Sequence, residues 1–146
     1  MQHPMCPKAV ARIHGGREYP QLNGMVQFFQ GCHGVIVEAE ISGLPKTETG
    51  FFGFHIHEGG SCSGEAFSNT GGHFNPGEAI HPSHAGDLPP LLGDHGKAYM
   101  KVLTSRFCIA QIFGRTIILH AAPDDFHTQP SGNAGTKIAC GVIQKV

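Results

Sequence analysis

Six histidines and one aspartate carry most of the chemistry this sequence can offer. His55 and His57 stand one residue apart in Phe54-His55-Ile56-His57, and His73 opens His73-Phe74-Asn75-Pro76. His81, His84 and Asp87 crowd into His81-Pro82-Ser83-His84-Ala85-Gly86-Asp87, and His120 ends a later apolar run, Ile118-Leu119-His120. Alternate residues of a strand face one side of its sheet, so His55 and His57 project together from a rigid support. Imidazole suits copper and zinc, and the Irving–Williams order favours copper where nitrogen ligands dominate. Histidines scattered over a surface would not gather six of the chain's eleven into such a pattern. The chemistry expected is that of a transition-metal site.

Eight segments read as the strands that must hold these ligands: 8–14, 23–30, 35–42, 50–57, 87–92, 97–103, 115–120 and 137–144. Val35, Val37, Ala39 and Ile41 alternate with Ile36, Glu38 and Glu40, the period of two of a half-buried strand. Asp94-His95-Gly96 reads as a tight hairpin turn, and 110–113 as a single helical turn. Helical periodicity is otherwise nearly absent, while Gly (21) and Pro (10) are abundant, which points to short strands and many turns. The expected fold is all-β: an eight-stranded antiparallel Greek-key sandwich or flattened barrel with two long functional loops, 58–86 and 121–136. Loops longer than about 12–15 residues are mostly functional or disordered, and the metal-type residues in these two favour function. The 146 residues suit one domain, 1–146, with 1–7 a flexible N-terminal segment.

Composition narrows the partners. A formal net charge of −1 without any basic block argues against nucleic acid, and no apolar run approaches the roughly 20 residues of a membrane span. The first residues lack the basic start and apolar stretch of a signal peptide, so a cytoplasmic protein is expected, or an exported one whose leader has been removed. Five cysteines (Cys6, Cys32, Cys62, Cys108 and Cys140) permit at most two intrachain disulfides, and their number leaves the pairing open.

These motifs, in this order, resemble the copper–zinc superoxide dismutase family. The resemblance rests on Gly53-Phe54-His55-Ile56-His57-Glu58, Gly72-His73-Phe74-Asn75-Pro76, His84-Ala85-Gly86-Asp87-Leu88 and Gly114-Arg115-Thr116 leading into His120. The ending Gly132-Asn133-Ala134-Gly135-Thr136-Lys137-Ile138-Ala139-Cys140-Gly141 is similar too. Asp87-Leu88-Pro89 and the compact loops are more similar to bacterial members than to animal ones. The resemblance implies copper at His55, His57, His73 and His120, and zinc at His73, His81, His84 and Asp87, with His73 bridging the two. It implies that Asp124 links the free ring nitrogens of His55 and His81, that Cys62 and Cys140 form a disulfide, and that Arg115 binds backbone carbonyls of the 58–86 loop. Cys6, Cys32 and Cys108 are left as free thiols, and His14, His33, His95 and His127 as surface side chains.

Two departures from the family pattern bear on activity. Only Pro82 and Ser83 separate His81 from His84, a shorter interval than the family's, which puts zinc affinity in doubt. Lys137 stands where the family carries an arginine that guides the anion, and lysine offers a mobile point charge instead of a planar fork. The 121–136 loop contains no Lys or Arg. The implied function is superoxide dismutase, an enzyme turning superoxide into dioxygen and hydrogen peroxide by Cu(II)/Cu(I) cycling, with His73 and Lys137 as catalytic residues. A homodimer is the assembly considered. The alternative is a superoxide-dismutase-like metal-binding protein that stores or delivers copper, or uses zinc structurally, with little or no catalysis.

Overall fold

The computed structural model describes residues 5–146, so most of the terminal segment 1–7 lies outside it. Strands β1 (Ala9–Gly15), β2 (Asn23–Gly31) and β3 (Gly34–Ser42) form an antiparallel meander. Phe51–Phe52 (β4) and Phe54–His57 (β5) follow, then Leu91–Leu92 (β6), Lys97–Thr104 (β7), a four-residue helix α1 (Ile109–Ile112), Thr116–His120 (β8) and Lys137–Lys145 (β9). Seven strands make one antiparallel sheet in the order β5-β8-β9-β1-β2-β3-β7, while β4 pairs with β6. The chain leaves β3 at one end of the sheet, crosses to the other end for β5, returns to β7, and crosses back to β8. Those crossings are of the Greek-key kind. Because β4 leads into β5 and β6 into β7, the small ladder bridges the two edges of the large sheet. The result is the expected sandwich or flattened barrel.

Alternation builds the core. Ala9, Ala11 and Ile13 on β1, and Val35, Val37, Ala39 and Ile41 on β3, turn inward and are buried, while Glu38 and Glu40 turn out. Burying each such aliphatic side chain contributes about 1.5–3 kcal/mol before conformational entropy is charged against it. The turn at Asp94 closes as expected: Asp94 and Lys97 exchange both backbone hydrogen bonds, with His95 and Gly96 at positive φ. Two segments differ from expectation. The run 50–57 is two strands in two sheets, split at Gly53. There the backbone N–H donates to the Ala122 carbonyl, and an added Cβ would lie 2.7 Å from Cβ of Ala134. The segment 87–92 is a strand only over its last two residues, because Pro89 and Pro90 have no N–H to give a ladder.

β5 and β8 are buried on both faces, and this is what makes the site. Phe54, Ile56, Ile117 and Leu119 enter the main core. On the outer face His55 pairs with Ile118 and His57 with Thr116, and Ile118 pairs in turn with Cys140. The 58–86 loop covers that face, packing Phe67 and Cys62 on Ile118 and Cys140. Cys62 and Cys140 are joined by a disulfide, and Cys6, Cys32 and Cys108 are free and exposed. Arg115 ties down the start of the same loop: Nη1 donates to the Glu58 carbonyl at 3.0 Å, and the guanidinium lies 4.2 Å over the Phe74 ring.

Candidate metal centre

Two groups of buried side chains converge on the outer face of β5 and β8. One contains His55, His57, His73 and His120; the other contains His73, His81, His84 and Asp87; within each, the ligand atoms lie within 4.8 Å of one another. His55 and His57 come from β5 and His120 from the end of β8, on one face because their strands alternate. His73 is brought in by an antiparallel bridge between its backbone and that of His57, and Asp87 by a similar bridge to His55. His81 and His84 come from a tight turn in which the Ser83 N–H donates to the Ile80 carbonyl at 2.8 Å. The short interval between them presents both rings to the same group.

Four of the rings are oriented through the nitrogen that points away from the groups. Asp124 accepts from His55 Nε2 at 2.8 Å on one oxygen and from His81 Nε2 at 2.7 Å on the other, so one carboxylate serves both groups. Gly132 sits against that bridge at positive φ, and a Cβ there would collide with Asp124 Oδ1 and His81 Nε2. His57 Nδ1 donates to the Gly71 carbonyl at 2.8 Å, and His120 Nδ1 to that of Gly135 at 3.1 Å. Asp87 receives His73 Nδ1 at 2.7 Å on Oδ1 and the His84 backbone N–H at 2.9 Å on Oδ2.

These bonds leave the opposite nitrogens as lone pairs, and the lone pairs face inward. His55 Nδ1, His73 Nε2 and His81 Nδ1 are buried without a hydrogen-bond partner. A buried polar atom left unsatisfied costs about 1–3 kcal/mol, so three together call for an electrophile. His57 Nε2 and His120 Nε2 approach to 3.3 Å although each is the acceptor nitrogen of its ring. Two facing lone pairs repel unless a cation lies between them. In the second group His73 Nδ1 and His84 Nδ1 are 3.2 Å apart, and Asp87 Oδ2 is 3.2 Å from both His81 Nδ1 and His84 Nδ1. A tetrahedral zinc with ligands at 2.0–2.1 Å spaces them about 3.3 Å apart. The residues fit a nitrogen-rich metal on one side and a tetrahedral three-nitrogen, one-oxygen metal on the other.

Electrostatics agree. Burial lowers the pKa of His57 to about 2 and of His120 to about 3, with neighbouring imidazoles and Lys137 adding to the effect. Burial likewise lowers His55 and His84. These four rings are neutral at neutral pH, the state a ligand needs. Burial pushes Asp87 and Asp124 upward, but the histidines that donate to them win and hold both below the usual carboxylate range.

Lys137 lies directly across from His120. The pairing of β8 with β9 slips there: Leu119 opposes Ala139 but His120 opposes Lys137, leaving Ile138 as an extra residue on β9. Such a bulge re-aims the side chains around it. Lys137 Nζ donates to Thr70 Oγ1 at 2.8 Å and to the Gly71 carbonyl at 3.1 Å, the carbonyl that also orients His57. Sequence reasoning missed Gly71 and Gly135, whose main-chain carbonyls give no side-chain signal. It also missed Arg106 and Gln129, which grip the backbone of the His81–His84 turn. His14, His33, His95 and His127 are exposed and outside both groups.

Comparison with known proteins places this geometry in a family. Residues 22–143 match the family model "Copper/zinc superoxide dismutase". "Superoxide dismutase [Cu-Zn] 1" of Aquifex aeolicus is 35% identical over 136 residues, covering 83% of this chain and 79% of that protein. The Deinococcus radiodurans "Superoxide dismutase [Cu-Zn]" is 33% identical over 86% of this chain and 79% of its own length. "Superoxide dismutase [Cu-Zn] 3" of Arabidopsis thaliana is 36% identical over 93% and 89%. The chain belongs to the copper/zinc superoxide dismutase family.

Proposed function

We propose that this chain, as a copper/zinc superoxide dismutase, converts superoxide to dioxygen and hydrogen peroxide, with copper on His55, His57, His73 and His120 and zinc on His73, His81, His84 and Asp87. One observation carries the reading above the others: His73 belongs to both groups, offering Nε2 to the first and Nδ1 to the second. When bound, copper supplies one-electron exchange with superoxide, and zinc supplies a fixed divalent charge beside the shared ring.

The chain's own residues supply the rest. His73 Nε2 is the ring nitrogen able to hold a proton at the copper group and give it up to a peroxide product, while Nδ1 stays engaged with the Asp87 side. Asp124 fixes the tautomer of His55 and His81 together, so that each presents Nδ1 as a lone pair. The Lys137 ammonium, opposite His120, draws the small anion in and holds it, and its bonds to Thr70 and Gly71 keep the long side chain from wandering. Arg115 and the Cys62–Cys140 disulfide hold the loop that carries Gly71 and His73.

The whole chain, 1–146, acts in this reading as one superoxide dismutase-like domain with superoxide as its substrate. A homodimer is the proposed assembly, and the net charge of −1 without a basic block is the basis for proposing no nucleic-acid partner. Among the described residues no helix is long and apolar enough to cross a membrane. The deciding experiment is a paired one on purified protein: copper and zinc content per chain together with cyanide-sensitive removal of superoxide. One copper and one zinc with activity support the reading. Full copper without superoxide removal would favour a storage or delivery protein instead.

A further inference from the structure

The turn that carries His81 and His84 has two residues between them, and side chains from elsewhere hold its backbone. Arg106, in the connection between β7 and α1, sends Nη1 to the Pro82 carbonyl at 2.7 Å, with those of His84 at 3.3 Å and Asp87 at 3.5 Å in the same fan. Gln129, in the 121–136 loop, pairs with His81 as a neighbouring strand would. The His81 N–H donates to Oε1 at 2.9 Å, and Nε2 donates to the His81 carbonyl at 2.7 Å. Asp124 of the same loop holds the His81 ring, so one loop fixes this residue at both ring and main chain. Three of the four residues of the second group therefore have main-chain groups anchored from outside their own turn.

We propose that Arg106 and Gln129 are positioning residues for zinc, supplying from outside the rigidity that so short a turn does not supply for itself. The proposal rests on the zinc assignment made above. A guanidinium is a planar donor that loses little freedom per hydrogen bond formed, and it suits convergent carbonyls. The Gln129 amide satisfies a donor and an acceptor of one residue at once, which fixes the direction in which the His81 ring leaves the backbone. A site held in its binding geometry before the ion arrives spends less of the binding energy on ordering its ligands. In this reading the two-residue interval between His81 and His84 is enough because Arg106 and Gln129 hold its backbone from outside.

The test uses the metal-free full chain and its variants Arg106→Ala, Arg106→Lys, Gln129→Ala and Gln129→Glu. Zinc is titrated in competition with a chromophoric chelator, Co(II) is placed in the zinc group and its visible bands recorded, and urea unfolding of each metal-free form is followed. Arg106→Ala and Gln129→Ala should each bind zinc about tenfold more weakly, the lower end of what loss of an outer partner costs a metal site. Their Co(II) bands should shift, while the unfolding midpoints stay at the parent value. Arg106→Lys should recover part of the loss by keeping one donor on the Pro82 carbonyl. Gln129→Glu should bind zinc no better than Gln129→Ala, since it sets a carboxylate oxygen against the His81 carbonyl where the amide N–H now donates. Zinc affinities within twofold of the parent with an unchanged cobalt spectrum would overturn the proposal, as would a loss of metal-free stability that accounts for the whole effect. If the parent binds zinc and the variants do not differ, the braces alone are wrong. If the parent takes up no zinc, the zinc assignment falls with them.

Discussion

Removing the Cys62–Cys140 disulfide tests how the long loop is kept over the ligands. The two cysteines are 78 residues apart in sequence. In the chain-entropy treatment, opening a closed loop of that length returns about 15 cal/mol/K to the unfolded chain, or about 4.5 kcal/mol at 25 °C. The folded state loses less, because the loop stays tethered by other bonds. Glu58 and Gly59 pair with Gly72 and Thr70, Arg115 holds the Glu58 carbonyl, and Thr116 Oγ1 donates to that of Gly59 at 2.9 Å. Cys62→Ala with Cys140→Ala should therefore leave a folded barrel that is less stable by about 3–5 kcal/mol. At about 2–4 °C per kcal/mol for a chain of this size, the metal-free protein should melt roughly 6–20 °C lower. Urea unfolding of metal-free parent and double variant gives the first number, and calorimetry the second. The same loop carries Gly71 and His73, so copper and zinc should also leave the variant faster in the presence of a chelator. A change below about 1 kcal/mol, with metal retention intact, would show that the hydrogen bonds alone close the loop.

Three further outcomes are expected. Asp124→Asn keeps the shape but removes the charge and leaves at least one imidazole N–H facing an amide NH2, so zinc affinity should fall about 10–100-fold by competition titration. Unchanged affinity would remove Asp124 from the site. Lys137→Ala should lower superoxide turnover about tenfold, equivalent to about 1.4 kcal/mol in barrier, and flatten its dependence on ionic strength; Lys137→Arg should match or exceed the parent. Full activity of Lys137→Ala at low salt would contradict the guiding role. Finally, His57 and His120 stay neutral in the folded chain down to about pH 2–3 but titrate near 6.5 when unfolded. Below pH 6.5 the unfolded chain binds more protons, so metal-free stability should fall by about 1.4 kcal/mol per histidine for each unit of pH lost. The carboxylates Asp87 and Asp124 add their own loss only below about pH 4. Stability that is flat from pH 7 to 5 would refute the burial of these rings.

Much of the barrel and of its ligand set is legible in the residues themselves. The alternation of Val35 to Ile41 places β3 and its buried face, and His-x-His on a strand fixes two ligands on one side. The sharing out of His73, His81, His84, Asp87 and His120 between two groups is legible only through the resemblance to the family. Less is legible where contacts are made by backbone or between distant segments. Gly53 divides two sheets because the 121–136 loop approaches it, which no local pattern records. Pro89 and Pro90 do carry a signal against a strand at 87–92, since neither can donate. The bulge at Ile138, which brings Lys137 opposite His120, is a matter of register between strands and leaves no mark in composition. Arg106 and Gln129 look like ordinary loop residues until the turn they hold is seen in three dimensions.

The division of β5 and β8 into a core side and a ligand side has a consequence for how such a chain comes into use. Phe54, Ile56, Ile117 and Leu119 stand between the histidines and point the other way, and no ligand contributes to the main apolar cluster. Folding and chemistry are thus written on alternate letters of the same strands. In a small zinc domain the ion is the core, and the chain has no shape without it. Here the barrel is expected to fold before any metal reaches it, since its core uses none of the ligands, and an ordered near-ultraviolet circular dichroism spectrum of the metal-free chain would check this. The supply of metal, rather than the act of folding, would then set the moment at which a newly made molecule begins to work, and a molecule that lost its ions would be refilled instead of replaced.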